Sequence, residues 1–193
     1  MTHPLHPMTL GGYRVILADP PWSFDTYSDK GQGKSASQHY GCMTMDDIKA
    51  LPVADLAHRD GAILILWCTW PLVAIGAHVD LVRAWGFEPS SGGSWAKITV
   101  EGLPCFGTGY VARDACEPFI IAKRGRMPLG WRRTERNLIL AQRREHSRKT
   151  EEMRQMLDRA LPGTAKADLF SREGRPGWDC WGAEAGKFDG VAA

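Results

Sequence analysis

Asp19-Pro20-Pro21-Trp22 places a carboxylate, two prolines and an indole in four consecutive residues. The Asp19 carboxylate accepts hydrogen bonds. Neither proline carries an amide hydrogen and both fix φ, so the backbone beyond Asp19 is stiff and offers only carbonyl oxygens. A carboxylate and the Pro20 carbonyl can together accept both hydrogens of one exocyclic amino group. That draws the nitrogen lone pair out of conjugation and aims it at an electrophile, while Trp22 stacks on the ring bearing the amine. The same four residues also make an ordinary strand exit, because Asp and Pro are turn formers. Position favours chemistry. The tetrapeptide ends the apolar run Val15-Ile16-Leu17-Ala18 and precedes a Gly/Ser-rich polar loop, 24–41. In open α/β sheets, ligands sit beyond the carboxyl ends of such strands.

The elements that must position this motif follow from periodicity. Short apolar runs predict buried strands at 14–18 and 62–67, and further strands are expected at 95–100, 117–122, 137–141 and 165–170. Helices are predicted at 45–50, capped by Thr44, at 71–85, with Pro71 in the first turn and Gly86 after the end, and at 150–161. Alternating strands and helices predict a mostly parallel, three-layer α/β sheet. One domain spans 13–185, between loose tails at 1–12 and 186–193. Gly33-Lys34-Ser35 resembles the end of a P-loop, but Ser28 stands where that motif needs glycine.

Composition narrows the class. The 193 residues are 44% hydrophobic and 24% charged, the balance of a soluble globular protein. No secretory signal opens the chain, and the longest apolar stretch, 62–70, is too short to span a bilayer. Five scattered cysteines without a Cys-x-x-Cys pair suit a reducing cytoplasm, and no metal-ligand spacing is present. Charge is uneven. Lys123 to Lys149 holds ten basic and two acidic residues, on a body that is otherwise slightly acidic. Such a block is either a solvated face or a phosphate footprint; the footprint reading assigns Lys123, Arg124, Arg132 and Arg133 to nucleic acid.

Several stretches then stand in an informative order: Ala18-Asp-Pro-Pro-Trp22, His39-Tyr-Gly41, Leu66-Trp67, Trp95-Ala-Lys97, Gly107-Thr-Gly-Tyr110 with Arg113 and Glu117-Pro118, Glu145-His-Ser-Arg-Lys149, Asp168-Leu-Phe170 with Arg172, and Gly177-Trp-Asp-Cys-Trp-Gly182. As an ordered set over about residues 13–185, the chain resembles the MT-A70 family of adenine N6-methyltransferases. The resemblance implies a Rossmann-like domain that uses S-adenosylmethionine, with the catalytic motif Asp19, Pro20, Pro21 and Trp22 near the N-terminus. It implies that Lys149 meets the cofactor carboxylate and that Asp168, Phe170, Arg172 and Glu184 line the cofactor site. Ala183 replaces the asparagine usual before the last of these. It implies that Tyr40, Lys97 and Glu117 face the target base. Bacterial and phage members of the family are taken to act on DNA and eukaryotic members on RNA. The expected partner is nucleic acid, DNA rather than RNA. An RNA methyltransferase, an inactive nucleic-acid-binding paralogue and a cytosine N4 enzyme remain open at this point.

Overall fold

The computed structural model describes residues 2–22, 42–109, 111–144 and 148–190. Among these residues, seven strands form one sheet: β1 (Val15–Ala18), β2 (Gly61–Trp67), β3 (Glu88–Ile98), β4 (Cys116–Gly125), β5 (Leu138–Gln142), β6 (Lys166–Leu169) and β7 (Trp178–Trp181). Their order is β5-β3-β4-β2-β1-β6-β7. β4 alone runs antiparallel to its neighbours β2 and β3; the other pairs are parallel. β1, β2 and β6 are buried along their whole length; β1 and β2 therefore read as unbroken apolar runs, whereas β6 carries two buried charges, Lys166 paired with Asp158 and Asp168 paired with Arg154.

Among the described residues, four α-helices flank the sheet: α1 (Met45–Lys49), α2 (Trp70–Ala74), α3 (Ala77–Ala84) and α4 (Glu151–Ala160). Thr44 caps α1 as expected, its hydroxyl accepting from the Asp47 N–H at 3.1 Å. The helix predicted over 71–85 is two helices. Gly76 adopts φ 76°, a left-handed conformation that ends α2 and lets α3 start at a new angle. β7 has no counterpart among the predicted strands. Its four residues follow Pro176 and Gly177, and pairing to β6 rather than local pattern makes them a strand. Met153, Met156, Leu157 and Leu161 of α4 and its C-cap pack on one face of the sheet. On the other face, α1, α3 and the N-terminal stretch cover Ile16, Leu64, Leu66 and Ala167.

Residues 2–12 and 186–190 are not the loose tails the sequence suggests. Leu5 and Met8 enter the core, and the Tyr13 hydroxyl accepts from the Thr9 N–H at 3.0 Å while donating to Asp179 at 2.6 Å. Two apolar side chains in a polar stretch are enough to anchor it. At the other end, the Phe188 N–H donates to the Arg172 carbonyl at 3.0 Å and the Gly174 N–H to Asp189 at 2.6 Å. No helix among the described residues is long and apolar enough to cross a membrane.

His78, on α3, is fully buried, and neither ring nitrogen has a hydrogen-bond partner among the described residues. It packs edge-on against Trp22 with centroids 4.7 Å apart. Burial lowers its pKa from 6.5 to about 4. The unfolded chain therefore takes up a proton that the fold refuses. Stability from this group is full above pH 6.5 and is lost as pH falls towards 4. The loss amounts to about 3 kcal/mol over that window. His78→Phe should flatten the decline, read as the difference in urea midpoint between pH 7 and pH 4.5 for the two proteins.

Candidate active site

The sheet register brings distant residues to one edge. Ala18 lies level with Leu66 of β2 and Leu169 of β6, so Asp19 stands just past three strand ends. β4 enters at that same edge because it is antiparallel: Phe119 pairs with Trp67, and Glu117 with Trp95 of β3. Lys97 lies two residues further along β3, and Lys149 immediately precedes the first turn of α4. Their side chains form a continuous line. Lys149 Nζ is 2.9 Å from Asp19 Oδ2 and 2.5 Å from Glu117 Oε1, and Glu117 Oε2 is 2.8 Å from Lys97 Nζ.

These charges decide one another's protonation. Burial pushes the Asp19 carboxyl up to about 6, against the pull of the Lys149 ammonium. Burial also opposes ionisation of Glu117, yet Lys149 and Lys97 outweigh it and hold that carboxyl below its ordinary value. Lys149 is disfavoured by burial but overcompensated by its two carboxylates, so its pKa is raised. At neutral pH the line reads minus, plus, minus, plus, with Asp19 the member nearest to titration.

Beside Asp19 opens a cleft that continues into solvent. Leu17, Trp67 and Phe170 give it apolar walls; Arg148, Lys149, Arg172, Asp168 and Glu173 give it both signs of charge. Arg154 grips Asp168 through Nε at 2.8 Å and Nη2 at 2.5 Å, and Ser171 Oγ lies 3.2 Å from the same carboxylate. Glu173 gathers Arg148 at 2.5 Å and Arg144 at 3.4 Å. Phe170 ends β6 at φ 62°, a conformation that costs a non-glycine residue about 1–2 kcal/mol and turns the chain sharply at the cleft wall. Gly182 makes this possible: a Cβ there would lie 2.9 Å from Phe170 Cα.

The family model described as MT-A70 matches residues 13–184. The chain belongs to the MT-A70 family. The type II methyltransferase M.MunI of Mycoplasma sp is 28% identical over 189 residues, covering 89% of this chain and 77% of that protein. A probable N(6)-adenosine-methyltransferase of Oryza sativa is 31% identical over 173 residues, covering 88% of this chain and 22% of that protein. The N(6)-adenosine-methyltransferase catalytic subunit METTL3 of Homo sapiens is 28% identical over 187 residues, covering 94% of this chain and 29% of that protein. The chain thus spans less than a third of these adenosine methyltransferases.

The cofactor of this MT-A70 domain is S-adenosylmethionine, and the cleft fits it. That molecule joins a zwitterionic tail to a ribose and a flat ring. It therefore wants cations, carboxylates and apolar walls, all of which line this cleft.

The fold assigns some expected residues differently. Lys97 and Glu117 reach Asp19's edge, joined to it through Lys149. Lys149 lines the cleft, but two of its three N–H groups point at Asp19 and Glu117; a partly buried ammonium needs those carboxylates more than a distant one. Arg172 and Glu184 are each other's partners, Nε to Oε2 at 2.7 Å. Trp22 is packed into the core against His78, so its ring is spent on holding the motif and not on stacking a base. The Pro20 carbonyl already accepts the Trp22 N–H at 2.9 Å, leaving one lone pair for a ligand. Tyr40 lies outside the described residues.

Lys123, Arg124, Arg132 and Arg133 are corrected most. β4 starts at the Asp19 edge and carries Lys123 and Arg124 to the opposite one, level with Ile63 and Ala62 near the start of β2. The Arg132 N–H donates to the Ala160 carbonyl, at the end of α4 remote from Lys149. These four do not flank the target pocket. Arg148, Arg154, Ser171 and Glu173 were not singled out in the sequence, though the dense cations of 143–149 needed a carboxylate such as Glu173 nearby.

Proposed function

We propose that this MT-A70 domain transfers a methyl group from S-adenosylmethionine to the N6 amino group of adenine in DNA. The observation that carries the reading is the lysine-held Asp19 carboxylate at the mouth of the cofactor cleft. When bound, the cofactor supplies a methyl carbon on a sulfonium. Asp19 accepts a hydrogen bond from the adenine amino group and fixes its direction. As positive charge grows on nitrogen, the carboxylate opposes it, and Asp19 or water takes the released proton. Lys149 keeps Asp19 ionised near neutrality, and Glu117 and Lys97 keep Lys149 in place. Holding the amine in line accounts for up to about 7–11 kcal/mol of barrier reduction in well-oriented systems. In a duplex the base must leave the stack to reach this edge.

The choice of DNA rests on the bacterial-type relative: similarity runs through 77% of the Mycoplasma enzyme but under a third of the adenosine enzymes. The adenosine enzymes favour RNA as the second reading, since identity with the Oryza protein reaches 31%. The setting we propose is the cytoplasm, where the five cysteines stay free. Methyl transfer onto unmethylated DNA and RNA, assayed side by side, separates the readings. Incorporation into RNA alone overturns the choice of DNA. Absence of both, with no heat on titrating S-adenosylmethionine, overturns the enzyme reading.

A further inference from the structure

The basic run is split by the sheet, and the half left far from the site has no assigned role. Five exposed cations, Lys123, Arg124, Arg126, Arg132 and Arg133, gather at the edge opposite Asp19. The separation is large. Lys123 stands six residue steps along β4 from Glu117, roughly 20 Å at about 3.4 Å per residue. Arg132 stands at the far end of a ten-residue helix, roughly 15 Å from its start beside Lys149.

Among the described residues, these cations are not matched by acids. Asp60 is engaged by Arg14 and Arg59, Glu135 by Arg159, and Asp158 by Lys166 and Arg175. Glu88 faces Lys123 in the β3–β4 register, one acid against five bases. Among the described residues, none of the five forms an ion pair. The loop that carries three of them is held in shape: Trp131 packs on the core and the Arg132 N–H is tied to α4. At its tip Leu129 is 90% exposed between the cations. A fixed loop with unpaired guanidinium groups around an exposed apolar tip suits a groove-bearing polyphosphate.

We propose that this far edge is a second, non-catalytic site for duplex nucleic acid, gripping a stretch remote from the target adenine on the same molecule or another. The proposal rests on the nucleic-acid reading of the active site. It supplies sequence-independent affinity that holds the domain on a long substrate while target bases are sampled.

The test compares wild type with the triple variant Arg126→Gln, Arg132→Gln, Arg133→Gln on two duplexes. With the target adenine at its centre, a duplex of about 10 base pairs reaches roughly 17 Å to either side, short of the far edge; one of about 60 base pairs reaches it. Binding is followed by fluorescence anisotropy against salt, methylation by radiolabel transfer, and folding by thermal unfolding, since exposed side chains should leave Tm unchanged. On the long duplex, the slope of log affinity against log salt should fall by about 2–3 in the variant. The ratio of kcat/KM on long to short substrate should fall with it. Equal loss on both lengths would return these residues to the target pocket and overturn the proposal. No loss on either would make them a solvated surface, and variant-sensitive capture by anionic lipid vesicles with an unaltered DNA slope would make the edge a membrane contact. If neither protein methylates any substrate, the proposed activity fails, and the anisotropy slopes still decide the far edge.

Discussion

Lys149→Met is expected to abolish methyl transfer at pH 7, by about 10³-fold, and to restore part of it at pH 9. The ammonium is the countercharge of both Asp19 and Glu117. Methionine keeps the length and the apolar stem but leaves two carboxylates facing one another in a partly buried pocket. One of them must then take a proton. Glu117 keeps Lys97, so Asp19, already lifted to about 6, is the one that rises further. The acid limb of kcat/KM against pH should therefore move upward past neutrality. Breaking a buried ion pair costs about 3–5 kcal/mol; these side chains are about a fifth exposed, so the lower end applies, a drop in Tm of roughly 10 °C. A lysine that only touched the cofactor's carboxylate would raise the dissociation constant of S-adenosylmethionine and leave the pH limb where it was. An unmoved limb would therefore sink the charge-line account.

What could be read in advance follows physical range. Asp19 was legible because everything that places it is local: a doubly buried run of four residues, then two prolines. Strand β2 was legible for the same reason. The pairing of Asp19 with Lys149 and Glu117 was not, because it depends on β4 being inserted antiparallel between β2 and β3. That one strand direction also explains the largest misreading. A run of cations contiguous in sequence looked like one footprint, yet β4 sends Lys123 and Arg124 away from the site while β5 brings Arg143 and Arg144 back towards it. The break at Gly76 was hidden by a good helical pattern on both sides, since only the backbone conformation reveals it. Trp22 looked like a base-stacking ring because a sequence does not show which side of a motif faces the core.

Asp19→Asn should lose methyl transfer by about 10³-fold while binding S-adenosylmethionine within a few-fold of wild type, and it should be more stable than wild type at pH 7. The loss follows from charge: the amide keeps the shape but cannot oppose positive charge on the reacting nitrogen. The gain follows from the direction of the pKa shift. Burial raises the Asp19 carboxyl from 3.8 to about 6, so the fold binds its proton more tightly than the unfolded chain does. Stability from that preference is fully present below pH 3.8 and is lost as pH rises through 6. At pH 7 the ionised group costs about 2–3 kcal/mol, which a neutral isostere does not incur. Lys149 is not stranded in the variant, because Glu117 still holds it at 2.5 Å. Urea unfolding of both proteins at pH 4 and pH 7 should show curves that coincide at the lower pH and separate at the higher. Turnover near the wild-type rate would remove Asp19 from the chemistry. A variant less stable than wild type at pH 7 would mean that the pair with Lys149 outweighs the burial of the charge. The expected separation is the mark of a carboxylate kept ionised where the fold alone would leave it neutral, which is the state an acceptor for a developing cation requires.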